Sequence, residues 1–334
     1  MYLPDSFFSA LILMLLGMAC WGSWANPYKL TRGWRFELFY FDYAIGIFLT
    51  CLFAALTLGT SFGSPTFLDN LVASDAASWV YAFLAGVVLN CGNVLLTAGM
   101  ALVGMRPIAH TFASFLVERA FEQIKLDLSH QDVGGVLVST GGSYDIAAGG
   151  RSHQAPGDVA LIDTLPDWTV HVPGHASEVD AAIRLAVAGS GRDYVRITEA
   201  QNAQAFPVTP GRFALVRSGT HATVIAVGPT LDPVLAATAD LDVTVLYAGT
   251  VRPFDLAGVR SRVAAPADVV LVEPYLVGTS SWLVSEALRD VPHRLLALGV
   301  GRQELRKYGT PTDHQAAHGL DPTGIRRSVS AFLG

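Results

Sequence analysis

The sequence predicts three membrane-crossing helices followed by an α/β region, and three observations predict it. Apolar runs over residues 7–25, 39–58 and 79–103 each reach the length of about 20 residues that a helix needs to cross a bilayer. From Arg106 onward, short apolar strands alternate with helical segments, the pattern of sheets covered by helices. The 334-residue chain is 51% hydrophobic and its mean hydropathy is positive; the apolar surplus lies at the front, which separates the two regions.

The first run follows Asp5 with no Lys or Arg before it, so it is predicted to be a span and not a cleaved signal peptide, whose n-region is basic. Trp21, Trp24, Tyr28 and Trp34 cluster at its end, as rings with one polar edge do at the headgroup level. The next connection carries Lys29, Arg32 and Arg35, and the one after it only Asp69 and Asp75. The positive-inside rule then places the N-terminus outside and everything after residue 106 in the cytoplasm. Asn90 and Asn93 share one face of the third run, where their amides suit a neighbouring helix or a polar solute. Cys20, Cys51 and Cys91 all fall in apolar runs and are read as small hydrophobes, so neither a disulfide framework nor a zinc site is predicted. The formal net charge is −6 and neither region is polybasic, which excludes nucleic acid as an implied partner.

Beyond Arg106 the spacing predicts a helix over Ala113–Leu128, a buried run Gly135–Ser139, a glycine-rich loop, a strand Thr169–Val172, a helix Ala176–Ala188 and a strand Tyr194–Ile197. A polar connector spans 201–211. Four apolar runs follow at Thr223–Val227, Val243–Tyr247, Val269–Val272 and Leu295–Leu298, which predict a second parallel or mixed sheet. Thr279, Ser280 and Ser281 are candidate caps for a helix holding Trp282 to Leu288.

Trp21-Gly22-Ser23-Trp24 with Asn26, Asn90 and Asn93 resembles the opening of the glucose/ribose-porter and ureide-permease branch of the drug/metabolite transporter superfamily, over residues 1 to about 105. Members of that branch are built from two repeated halves that wall a solute path, so three helices imply a truncated permease at most. Ala109-His110-Thr111-Phe112 with Phe115, Glu118-Arg119-Ala120-Phe121-Glu122-Gln123 and Gly149-Gly150-Arg151-Ser152-His153-Gln154 resemble the pyrimidine-binding domain of transketolases. Arg252-Pro253-Phe254-Asp255, Val272-Glu273, Tyr308-Gly309 and His318-Gly319-Leu320-Asp321 resemble the transketolase C-terminal domain. The expected organisation is a transmembrane region 1–105, an incomplete pyrimidine-binding domain 106–200, a linker 201–211 and a C-terminal α/β domain 212–334.

The resemblance implies thiamine diphosphate and Mg as cofactors, sugar phosphates as substrates, and a diphosphate-binding N-terminal subunit or a homodimer as partner. It implies that Phe112 and Phe115 stack on the cofactor's aminopyrimidine ring, since stacking needs flat, rigid apolar faces. His153 is implied to contact the donor's hydroxyl and carbonyl oxygens, which an imidazole can do as donor or acceptor. Arg119 is implied to bind substrate phosphate through its guanidinium fork. From spacing alone the aromatic residues read as core and His153 as a loop residue satisfied by backbone, and only the motif reverses both, while Arg119 reads equally as a helix-surface partner of Glu118 or Glu122.

Three departures bear on activity. Gly149 stands where many transketolases carry an acidic residue, and Glu199 lies beside Arg196 near the expected phosphate-binding arginine. The Gly-Asp-Gly string of a diphosphate domain is absent. No Glu occurs between Glu37 and Glu118, although the resemblance requires a glutamate just before Ala98 to activate the aminopyrimidine ring. With it goes the opening strand of the sheet, leaving an edge open to mispairing. Ala98 to Met105 fits both families, which marks the expected join of two gene fragments. The expected function is that of the C-terminal part of a transketolase, inactive on its own, with a truncated permease and a non-catalytic binding module as the other readings.

Overall fold

A computed structural model describes residues 36–61, 66–75, 101–102, 104–263, 267–306 and 308–334. The chain divides into two compact units, Met1–Leu96 and Thr97–Gly334. In the first, helices Phe36–Ser61 and Phe67–Ala73 are described. The second of them is capped by Thr66, whose hydroxyl accepts from the Asp69 amide at 3.2 Å while the Asp69 carboxylate accepts from the Thr66 amide at 3.0 Å, a reciprocal cap of the N-terminal donors.

The predicted membrane topology is corrected here. No helix among the described residues is long and apolar enough to cross a membrane. The span expected over 39–58 falls within helix Phe36–Ser61, whose opening turns include Glu37 and Asp42, and acidic side chains penalise insertion. An apolar run records only that a segment avoids water, not which apolar environment receives it. The cytoplasmic placement with an outside N-terminus is corrected with that topology, and the membrane-lipid partner is without support among the described residues. The expected span 7–25, nearly all of 79–103, and Trp21, Trp24, Asn90 and Asn93 lie outside the described residues.

The second unit is mixed α/β, with two five-stranded sheets. The first has the order β1-β2-β4-β3-β8, from Ile108–Phe112 (β1), Gly135–Thr140 (β2), Trp168–His171 (β3), Arg192–Arg196 (β4) and Thr250–Arg252 (β8). The second has the order β10-β9-β6-β7-β5, from Ala214–Arg217 (β5), Ala222–Val227 (β6), Val243–Ala248 (β7), Ala267–Leu276 (β9) and His293–Val300 (β10). Every residue of β6 and β7 is buried, as parallel strands covered on both faces must be. β1 instead alternates, with Ile108, His110 and Phe112 outward, because it is an edge.

Helix Ala176–Ala188 forms with the predicted bounds, its first turn capped by the His175 ring, which accepts from the Ser177 amide at 3.1 Å. The helix expected over Ala113–Leu128 is broken instead: π-helical turns Ser114–Glu118 and Ile124–His130 flank a short α turn at Phe121–Gln123. π turns are rare and concentrate at functional sites. One apolar cluster joins both sheets, with Leu137, Val170 and Tyr194 from the first and Ile225, Leu246, Leu271 and Tyr275 from the second. β8 leaves the second region of the chain to pair antiparallel with β3, Val170 opposite Arg252 and His171 opposite Thr250.

Candidate functional site

Phe112 ends β1 and is 40% exposed, which sets its ring at the carboxyl end of the sheet. The π turn that follows brings Phe115 edge-on to it, with ring centres 5.7 Å apart and planes at 82°. His153 enters from the loop after β2. Its ring centre lies 5.1 Å from Phe115 and 6.1 Å from Phe112, and its Nδ1 is 3.0 Å from the Ser152 hydroxyl. Arg119 lays its guanidinium over the Phe115 ring at 4.1 Å, a cation-π placement, and donates to the Ser152 carbonyl at 2.8 Å. Glu122 pairs with Lys125 at 2.8 Å rather than with Arg119. The structure thus gathers Phe112, Phe115, Arg119 and His153 into one cluster.

Two glycines make the approach of His153 feasible. A Cβ on Gly149 would sit 2.8 Å from His153 Cγ, so any side chain there would displace the imidazole. Gly150 has φ of 69°, a left-handed conformation that suits glycine, and a Cβ there would meet the Tyr308 ring at 2.7 Å. The departure at Gly149 is therefore a packing requirement of this chain. Glu118, half-buried beside the cluster, has its carboxyl raised above the usual range by burial, with Arg151 opposing.

Beneath the loop lies a buried ionic group that the sequence reading did not identify. Arg196 and Asp158 are fully buried and paired at 2.8 Å. The Asp158 carboxylate also accepts from the Tyr194 hydroxyl and the Val159 amide, each at 2.8 Å. Arg196 donates to the Ser143 hydroxyl at 2.6 Å, and its Nη1 has no partner. The arginine read as standing near the phosphate-binding position is turned inward, while Glu199 stays exposed and its amide donates to Asp145 at 2.9 Å. Burial raises the Asp145 carboxyl to about 6, against that amide and Arg196. The one sequence signal for this group was a charged residue, Arg196, inside the otherwise apolar run Tyr194–Ile197. Among the described residues no group of three His, Cys, Asp or Glu is arranged to hold a metal ion.

Residues 93–204 match the family described as transketolase, pyrimidine binding domain. An uncharacterized 33.6 kDa protein in the fasciation locus of Rhodococcoides fascians is 52% identical over 239 residues, covering 71% of this chain and 77% of that protein. The 1-deoxy-D-xylulose-5-phosphate synthase of Aeromonas hydrophila subsp. hydrophila is 28% identical over 250 residues. The match takes in 72% of this chain but 40% of the synthase's length. Among solved structures, a split gene transketolase described as an inactive β4 tetramer aligns with TM-score 0.63 and 26% identity, over 72% of this chain and 81% of its own. The transketolase of Campylobacter jejuni, at 16% identity and TM-score 0.56, shares the fold. These relatives support the transketolase half of the sequence reading and lend nothing to the permease resemblance of residues 1–105.

Proposed function

Since this chain belongs to the family of the Rhodococcoides fascians fasciation-locus protein and carries the transketolase pyrimidine-binding domain, we propose that residues 106–200 and 212–334 are the pyrimidine-binding and C-terminal domains of a thiamine diphosphate-dependent ketol transferase, one that needs a second chain. The observation that carries this reading is the convergence of Phe112, Phe115, His153 and Arg119. When bound, thiamine diphosphate supplies the electron sink that lets a two-carbon ketol unit pass between sugar phosphates.

The residues present fit the ring-binding part of that task. Phe112 and Phe115 offer apolar ring surface held by mutual edge contact, and Arg119 fixes the Phe115 ring from one side. With Nδ1 engaged by Ser152, His153 has Nε2 to meet a substrate hydroxyl or carbonyl. Arg119 keeps Nε and Nη1 for a substrate phosphate, since only Nη2 is bonded to the Ser152 carbonyl. The residues do not fit the activating part. No Glu lies between Glu37 and Glu118, and the Glu118 carboxylate faces Gly157, where it would be 3.6 Å from a Cβ. Ketol transfer by the isolated chain is therefore expected to stay at background, and transfer clearly above it would refute the reading. The same gap favours a second reading, a binding module that keeps the fold without catalysis.

Calorimetry with thiamine diphosphate and Mg, with and without a diphosphate-binding N-terminal subunit, separates the two. The first reading expects binding only in the presence of that subunit; heat-silent titrations in both arms favour the second. Phe115→Ala is expected to weaken that binding about tenfold, the loss of roughly 1.4 kcal/mol of ring contact. A join of two gene fragments at Ala98–Met105 accounts for the lost glutamate. Long-read sequencing through the codons for residues 90–110 is expected to show the break, and uninterrupted native reads would remove it.

A further inference from the structure

A second cleft, of about 580 Å³, opens on the other side of the Gly149–Gln154 loop, between that loop and the segment after β10. The volume lies in the range of small-molecule sites. We propose that this cleft binds a small organic phosphomonoester, at a site distinct from the Phe112–Phe115–His153 cluster and independent of the cofactor reading above.

Charge comes first. Arg151, Arg302 and Arg306 line the cleft with one carboxylate, Glu304, which is bonded to Arg151 at 3.1 Å. Neither Arg302 nor Arg306 has a carboxylate partner among the described residues, so two guanidinium groups are left over, and their forks match phosphate geometry. Arg306 is moreover a non-glycine residue at φ of 49°, a backbone state that costs about 1–3 kcal/mol and gathers at ligand sites.

Neutral donors complete the wall. Gln154 is 9% exposed and lines the cleft, and its Nε2 has no partner. A buried unpaired amide donor costs about 1–3 kcal/mol, a cost an acceptor oxygen in the cleft removes. His318 accepts from the Gly301 amide through Nδ1 at 3.2 Å, which places its proton on Nε2. Burial lowers its pKa further, so the ring is a neutral donor near pH 7. Tyr144 stacks on His318 and on His314 with centres 6.0 and 5.7 Å apart, and the His314 Nε2–H donates to the Tyr308 carbonyl at 2.7 Å. This rigid floor suits the carbon body of a ligand. The small volume of the cleft and the net charge of −6 argue against a polyanion such as nucleic acid.

The test titrates the full chain with inorganic phosphate, ribose 5-phosphate and adenosine monophosphate by calorimetry. Ribose 5-phosphate or the nucleotide is expected to bind, and whichever is tighter identifies the organic part. Equal affinity for inorganic phosphate supports the site and assigns recognition to the phosphate alone. The double variant Arg302→Ala, Arg306→Ala is expected to weaken binding at least tenfold with an unchanged melting temperature of the free protein, because both side chains are exposed. Arg302→Lys with Arg306→Lys should recover part of that loss. Phe115→Ala should leave phosphate binding as it is. Absence of binding by all three ligands at millimolar concentration, full affinity in the double alanine variant, or loss of binding in Phe115→Ala would each overturn the proposal.

Discussion

Asp158→Ala is expected to destabilise the folded chain by about 3–5 kcal/mol, read as a lowered urea midpoint. Asp158 and Arg196 are both fully buried, so truncating the carboxylate leaves a guanidinium inside the protein with the Ser143 hydroxyl as its hydrogen-bond acceptor and the Tyr275 ring 5.6 Å away. It also strips the Tyr194 hydroxyl and the Val159 amide of their acceptor. The expected cost is that of an uncompensated buried charge rather than the net worth of the pair, since well-packed apolar replacements of both partners are often neutral. Asp158→Leu with Arg196→Met should accordingly cost less than Asp158→Ala alone. A midpoint for Asp158→Ala within experimental error of the parent would show that the pair is not buried as described.

The second large effect is on the pH dependence of stability. Glu273 lies fully buried in β9, its Oε1 accepting from the Ser280 amide at 3.0 Å and its Oε2 without a partner. Burial raises its carboxyl from 4.5 to about 7, with the Ser280 hydrogen bonds and Arg252 opposing. The native state therefore holds the proton more tightly than the unfolded chain does. Its contribution is complete below about pH 4.5 and is lost as pH rises through about 7. At 1.36 kcal/mol per unit this amounts to about 3 kcal/mol. Asp145, raised from 3.8 to about 6, acts in the same direction. Glu273→Gln is expected to flatten the urea midpoint between about pH 5 and pH 8 by most of that amount; parallel curves for variant and parent would dismiss the assignment.

The α/β layering was legible because β2, β6 and β7 are continuous apolar runs, and buried parallel strands leave that trace whatever their neighbours are. β8 has three residues, too few for any periodicity, and its place beside β3 is set by tertiary pairing alone. β1 was hidden because its outward Ile108, His110 and Phe112 read as a motif rather than as a strand. The aromatic cluster was legible only through its motif: spacing cannot distinguish Phe112 and Phe115 at a sheet end from the same rings in a core. Arg196 was read by its position beside Glu199, and the inward turn to Asp158 depends on a partner 38 residues away. The membrane reading failed on a different ground, since an apolar run records avoidance of water and not which apolar environment receives it, and the run predicted over 39–58 carries Asp42.

The excursion of Thr250–Arg252 into the neighbouring sheet interlocks the two halves of the fold. Cutting the gene at the connector would hand that rung to the wrong product, leaving the amino-terminal piece with an uncovered ladder at Val170 and His171. Such a piece is prone to self-association, and the intact chain from Thr97 onward is expected to melt in one cooperative step rather than two.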